Sequence, residues 1–275
     1  MPMVASASGD IVIPRCLTIA TSDSGGGAGI QADLKAFARL GCHGTTAIVA
    51  LTAQNTTSVT AVHEVPPDFI RAQLEAVFDD IGVDAAKTGM LFSAPIIETV
   101  ADFLVQRPVP LVVDPVMVAA SGAKLLRDDA VSILVDRLLP LATVVTPNLQ
   151  EACALAGVPY SDEASREELA EAIHELGAPA VIVTGGHGIE ALDWLFDGER
   201  HIPVAVERHG DDATHGAGCT HSASLAALLA RGETLEDAAR GAARIASEAV
   251  RDGLAEIGAG SGPVDVFSFA PVRAR

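Results

Sequence analysis

This sequence predicts a three-layer α/β/α fold with a mostly parallel central sheet and an antiparallel edge. Three observations carry that expectation. Short, fully apolar runs such as Leu111-Val112-Val113 read as strands buried on both faces, as in parallel sheets. Amphipathic helical stretches alternate with such runs along most of the chain, which implies helices on both faces of the sheet. Late in the chain, apolar residues 191–196 and 201–206 flank Asp197-Gly198, a hairpin signal that places antiparallel strands at an edge.

The elements follow in order. Leu17-Thr18-Ile19-Ala20 is a first buried strand, followed by a glycine loop over 22–29. A helix then carries Ile30, Leu34 and Phe37 on one stripe and stops near Gly41. Residues 45–51 form a β-branched, apolar strand. Pro66-Pro67-Asp68 opens a helix expected to turn Phe69, Ile70, Leu74, Val77 and Phe78 inward. A strand at 85–88, a helix over 94–105 and the strand 111–113 come next. Its apolar character places 111–113 at the centre of the sheet. A helix over 128–139, a strand at 143–145, a short helix after Pro147 and a longer one over 165–176 follow. The strand 180–183 precedes the hairpin, and the last helices start at Cys219 and near Thr234.

The chain has 275 residues, the size of one α/β domain of ~250 residues, so a single domain over 1–275 is expected, with 1–15 as a poorly ordered extension. Hydrophobic residues make up 49% and aromatic ones only 4%, so the core must rest on Ala, Val, Leu and Ile. A net charge of −18 argues against nucleic acid or an anionic membrane as partner. An anionic substrate would then need a local positive site, such as a helix N-terminus. The four cysteines form no C-x-x-C pair and share no metal spacing with the eight histidines. With no signal peptide or transmembrane run apparent, a reducing cytoplasm fits best.

The segment from Ala213 to Thr220 is a glycine turn that runs into a helix. Backbone N–H groups and the helix dipole make such a place a phosphate site. Cys219 stands at that start, where a thiol pKa tends to fall. A phosphate cradle beside a poised base suits phosphoryl transfer to an alcohol. A glycine turn over a buried cysteine is the plainer explanation. The first glycine loop is neither a Walker loop nor a dinucleotide fingerprint, because no G-x-x-x-x-G-K-[ST] occurs and Ile30 replaces the last glycine. Asp23 is that loop's fixed charge, as a ligand contact or as a helix cap. Asp114 lies at the carboxyl end of a strand, where open α/β sheets bind ligands, and also before Pro115, where turns form. Asn148 and Glu151 are three apart at a helix start, suited to Mg²⁺ or to a capping box. Thr184-Gly185-Gly186-His187-Gly188 is a further turn that could meet a phosphate or be only a turn.

Taken together, these stretches resemble the hydroxymethylpyrimidine/phosphomethylpyrimidine kinases of thiamine biosynthesis, within the ribokinase-like superfamily. The resemblance covers about residues 16–267 and rests on 22–35, on Ala50-Leu51-Thr52-Ala53-Gln54-Asn55-Thr56, and on Lys87-Thr88-Gly89-Met90-Leu91. It continues through residues 112–117 with Ser121-Gly122, 146–151 and His215-Gly216-Ala217-Gly218-Cys219-Thr220. It implies phosphorylation of the pyrimidine alcohol and then of its monophosphate, with ATP and Mg²⁺, in a homodimer; a monovalent cation is left open. By resemblance, Cys219 is the catalytic base, and Gly216, Ala217, Gly218 and Cys219 form the anion hole. Asn148 and Glu151 lie near Mg²⁺ and the ATP phosphates, Thr184 and Thr220 on the ATP side, and Asp114 is the second acid near the metal. Gln54 reads the aminopyrimidine, Met90 and Val116 are pocket walls, and Asp23 with Gly25 belongs to the substrate loop. Residue chemistry agrees at Gln54, whose amide can both donate and accept.

The chain departs from the family pattern at Ala217, where Thr is usual, and at Thr184, where Lys is frequent. Residues 262–267 lack a histidine usual there. Two other readings remain: a vitamin B6 kinase of the same superfamily acting on pyridoxal or pyridoxine, and a protein that senses the ligand without turnover. The segment around Gln54 favours the pyrimidine, and Cys219, Asn148 and Glu151 argue for turnover.

Overall fold

The computed structural model describes residues 12–117, 128–185, 192–210 and 212–269. Ser121-Gly122, Gly186-His187-Gly188 and Ala191 lie outside the described residues. The strands are β1 (Arg15–Asp23), β2 (His43–Gln54), β3 (Val59–Glu64), β4 (Ala85–Thr88), β5 (Leu111–Val113), β6 (Val144–Val145), β7 (Val181–Val183), β8 (Leu192–Phe196) and β9 (His201–Ala205). They form one sheet in the order β3-β2-β1-β4-β5-β6-β7-β8-β9, with β5 in the middle. The run from β2 to β7 is parallel. β3 at one edge and β8 with β9 at the other are antiparallel.

The central strands are apolar on both faces because each face has its own helical layer. On one side Leu17, Ile19, Leu111, Val113, Val145, Val181 and Val183 pack in one core. That core is covered by α2 (Pro67–Ala76), α3 (Ala94–Gln106), α4 (Asp128–Ile133), α5 (Leu149–Leu155) and α6 (Arg166–Glu175). On the other side Cys16, Val112, Val144, Ala180 and Ile182 pack against α1 (Gly29–Arg39), α7 (Ala217–Ala230) and α8 (Leu235–Arg251). Alternate residues of a strand thus reach opposite cores, as the two-residue strand period requires. α7 is buried from Thr220 through Leu228, and its small residues let it lie close to the sheet. Among the described residues no helix is long and apolar enough to cross a membrane.

Several expectations need correction. Arg15 does not belong to an extension: it opens β1 and pairs with Asp84 at 2.7 Å. β3 escapes sequence pattern because neither of its faces is buried, so its alternation points at no core. Phe69 is 61% exposed, since it sits one position off the buried stripe of Ile70, Leu74 and Val77. Phe78 does turn inward, edge-to-face on Phe103. The expected helix at 128–139 is α4 followed by a wider turn at Leu134–Leu138 and a tight one at Leu139–Leu141 around Pro140. α7 begins at Ala217, so Cys219 lies within its first turn.

Candidate active site

Strand order reverses between β1 and β4, and the crevice outside the carboxyl ends of strands at such a point is where open α/β sheets bind ligands. Asp23 ends β1, Gln54 ends β2, and Met90 follows β4. Asp114 follows β5, Asn148 follows β6 and Thr184 follows β7. The N-terminus of α7 completes this end of the sheet, since α7 packs on β1, β4 and β5.

On the substrate side, the Asp23 carboxylate accepts from the N–H groups of Gly25 at 2.7 Å, Gly27 at 3.1 Å and Ala28 at 2.8 Å. His215 Nε2 lies 3.1 Å from Asp23 Oδ2. Burial alone would raise this carboxyl; His215 and the Ala28 and Gly25 N–H groups outweigh it and hold it below the ordinary value. Asp23 therefore organises its loop rather than pointing a spare charge outward. Ser24 Oγ accepts from Gln54 N at 2.8 Å and donates to Gln54 O at 2.6 Å, fixing the backbone beneath the Gln54 amide. Met90 is buried and Val116 half-buried, consistent with walls.

The turn expected to form an anion hole has Gly216 at φ 88°, where a Cβ would overlap Gly27 O. The two glycine loops are thus interlocked. Gly218 faces open space, leaving room for a ligand beside its N–H and that of Cys219, which helix geometry leaves without an intrahelical acceptor. Ala217 N–H turns back to Thr214 O at 3.0 Å, so this member of the expected hole is spent. Cys219 is half-buried and differs from expectation in acidity: desolvation pushes its thiol up to about 12 against the opposing Lys87 charge, with Asp33 and Asp114 raising it further and the Gly29 N–H lowering it. Desolvation outweighs the helix start. Thr220 also departs: it is fully buried, so its hydroxyl does not reach the cleft.

Asn148 and Glu151 form a full capping box, with Glu151 N to Asn148 Oδ1 at 2.9 Å and Asn148 N to Glu151 Oε2 at 3.0 Å. Glu151 Oε1 also accepts from Met117 N at 3.3 Å, which draws the loop after Asp114 toward it. Burial, with the charge of Asp114 next, pushes the Glu151 carboxyl up to about 8. Two buried acids in mutual repulsion suit a divalent cation. Thr184 N donates to Pro147 O at 2.9 Å, so the turn after β7 lies beside the capping box.

Sequence reasoning missed what lies underneath. Lys87, on β4, holds both oxygens of Asp33 on α1 at 2.9 and 3.1 Å, with no side-chain exposure on either. Thr18 Oγ1 donates to Asp33 Oδ2 at 2.6 Å. Lys87 is also 3.8 Å from Asp114 Oδ2, which accepts from Ser222 Oγ at 2.8 Å. Burial would lower the Lys87 ammonium, but Asp33 foremost, with Cys219 and Asp114, holds it above its ordinary value, so it is charged. A lysine inside a short apolar strand was the available signal, for it demands a buried partner.

Glu167, Glu171 and His201 bring potential metal ligands within 4.8 Å of one another on the surface. Trp194 Nε1–H donates to His201 Nδ1 at 2.9 Å, so the imidazole proton sits on Nε2, facing Glu171 Oε1 at 3.0 Å. A metal at Nε2 would need that proton moved to the nitrogen that Trp194 occupies, so this cluster is a hydrogen-bonded one.

A three-layer, mostly parallel sheet with a helix N-terminus, paired acids and a thiol at its carboxyl end has the architecture of a small-molecule kinase of the ribokinase-like class. The sequence profile of the family described as phosphomethylpyrimidine kinase matches residues 23–265, and the chain belongs to that family. A hydroxymethylpyrimidine/phosphomethylpyrimidine kinase from Haemophilus influenzae is 48% identical over 94% of this chain and 98% of its own. A Bacillus subtilis pyridoxal kinase, solved as an ADP complex, superposes with a TM-score of 0.86 at 38% identity, covering 94% of this chain and 98% of the other. A Clostridium difficile phosphomethylpyrimidine kinase gives 0.74 at 39% identity over 83% and 96%.

Proposed function

We propose that the protein transfers the γ-phosphoryl group of ATP to the hydroxymethyl oxygen of 4-amino-5-hydroxymethyl-2-methylpyrimidine, and then phosphorylates the resulting monophosphate, as a thiamine-biosynthetic enzyme. The observation that carries this reading is the placement of the α7 N-terminus, with Cys219 in its first turn, at the same end of the sheet as Gln54. The alcohol oxygen forms a bond to the γ-phosphorus as the bond to the ADP oxygen breaks. Cys219, as thiolate, takes the hydroxyl proton, while the Gly218 and Cys219 N–H groups receive the charge of the transferring group. Lys87 and the Gly29 N–H favour that thiolate.

Asp114 and Glu151 fit Mg²⁺, held directly or through water, with Asn148 fixing Glu151 by the capping box. The cation would supply charge neutralisation to the nucleotide phosphates. Thr184, at the carboxyl end of β7, would turn its hydroxyl from Pro147 O to them.

Thr52 sharpens the reading of Gln54. Its hydroxyl lies 3.0 Å from Ser22 O and 3.2 Å from the Gln54 amide, placed with Oε1 toward it. A hydroxyl has one proton, and Ser22 O can only accept. The network is satisfied when the Gln54 amide is turned so that its NH₂ donates to Thr52 Oγ1, which leaves the carbonyl for the exocyclic amino group of the substrate.

Pyridoxal is the competing substrate, supported by the likeness to the Bacillus subtilis pyridoxal kinase. ADP release measured with each alcohol at saturating MgATP tests the choice. A higher specificity constant for the pyrimidine is expected; equal or reversed values would overturn it. The working form is a homodimer of single-domain chains in the cytoplasm, the arrangement that the family resemblance implies.

A further inference from the structure

β8 starts against the turn that ends β7, so closely that a Cβ at Gly185 would overlap Leu192 O. Asp193, on β8, is buried, and its Oδ1 accepts from Gly185 N at 2.7 Å. Its other oxygen lies 3.3 Å from His221 Nε2, a close polar approach outside hydrogen-bond geometry, with side-chain exposures of 6% for the histidine and 5% for the aspartate. His221 is on α7, two residues beyond Cys219. A chain of buried polar groups therefore runs from the helix that bears the anion hole to the turn that bears Thr184. The far side of that turn is held by Pro147, beside the capping box.

The placement has a mechanical consequence. In-line phosphoryl transfer needs the acceptor oxygen and the donor phosphate fixed relative to each other. The first turn of α7 sets one of them, and the turn at Thr184 bears on the other. An apolar pair would fill this buried space without the cost of desolvating polar groups, so the polar pair points to a directional task.

We propose that Asp193 and His221 are positioning residues that hold the Thr184-Gly185 turn in register with the first turn of α7, and so align the nucleotide polyphosphate with the anion hole. This rests on the reading of Thr184 as a phosphate contact.

The test compares His221→Leu, His221→Gln and Thr184→Val by KM for ATP, kcat, affinity for the pyrimidine alcohol alone by calorimetry, and thermal unfolding. His221→Leu should lower kcat/KM for ATP by about tenfold or more, while pyrimidine affinity stays within about twofold. His221→Gln, which offers an N–H toward Asp193, should recover most of the loss. A folded His221→Leu with ATP parameters near wild type overturns the proposal. Equal losses in the Leu and Gln variants, or a parallel fall in pyrimidine affinity, also overturn it, because packing alone would act that way. If His221→Leu does not fold, Asp193→Asn replaces it: it keeps an acceptor for Gly185 N–H, loses the charge, and carries the same expectations. A Thr184→Val variant with unchanged KM for ATP beside an impaired His221→Leu removes the phosphate role of Thr184 and leaves the clamp standing. The opposite pattern removes the clamp alone.

Discussion

Two buried acidic centres lie side by side under the cleft, and they are balanced differently. At Asp33 the carboxylate meets Lys87 through both oxygens and accepts from Thr18. Its charge is matched within hydrogen-bond distance. Asp114 and Glu151 have Ser222 and two backbone N–H groups as their short-range donors, and the shared Lys87 is 3.8 Å from Asp114. Burial first and the Asp114 charge next push the Glu151 carboxyl up to about 8, and burial raises the Asp33 carboxyl as well. A balanced pair serves the fold; the less balanced pair is the one we propose as the cation site. The location of the deficit, rather than the number of acids, separates structural charge from functional charge.

The strongest way to break this contrast is Lys87→Met. It strands Asp33 without its partner and should cost ~3–5 kcal/mol of stability in denaturant melts. Lys87→Met combined with Asp33→Leu should regain much of that loss. If the single variant melts like the wild type, the balanced centre has no role in the fold.

Cys219→Ala comes next and touches rate instead of fold. A general base is worth about 10²–10⁴-fold in turnover, and that loss is expected with ATP affinity retained, because the backbone donors remain. With the thiol up at about 12, the thiolate is a minority form at neutral pH, so wild-type kcat/KM should climb with pH through the neutral range. A flat profile, or near-normal turnover in the alanine variant, would remove the base from Cys219.

Glu151→Gln probes the unbalanced centre. A carboxyl ordinarily near 4.5 and pushed up to about 8 keeps its proton in the folded chain after the unfolded chain has lost it. Wild-type stability should therefore fall as pH rises between those values and level off above them. The glutamine variant should not share that fall, and Mg²⁺ should offset it in the wild type. The variant should also turn over more slowly and need more Mg²⁺. Loss of thermal stability with unchanged Mg²⁺ dependence would leave Glu151 as a helix cap only.

The parallel part of the sheet was legible in sequence because runs such as Leu111-Val112-Val113 have no other stable place than between two layers. The glycine turns and the Asn148 cap were legible because their residue types are local requirements. Asp33 and Lys87 were not. They lie 54 residues apart, and only the packing of α1 on β1 beside β4 brings them together. The acidity of Cys219 was misjudged for a related reason. A helix start is visible in sequence, whereas the desolvation of this half-buried thiol and the charges of Asp33 and Asp114 are products of the tertiary fold. Thr220 shows the same limit, since its neighbours in the motif gave no sign that α7 would turn it inward.

The smallest expected effect concerns recognition without charge. Gln54→Leu should weaken pyrimidine use by ~1–3 kcal/mol, since it leaves a substrate amino group unpaired. Thr52→Val is subtler. It keeps the shape of the side chain but removes the oxygen that accepts from the Gln54 amide, while Ser24 still holds the Gln54 backbone. The amide is then free to rotate, and its carbonyl is no longer held toward the substrate. The cost should be about 1 kcal/mol in kcat/KM for the pyrimidine, with pyridoxal affected less, because the orientation serves an amino donor. Specificity constants for both alcohols, measured on Thr52→Val and on Gln54→Leu, separate orientation from contact. An unchanged ratio in Thr52→Val beside a changed one in Gln54→Leu would mean that the backbone grip of Ser24 is enough to aim the amide.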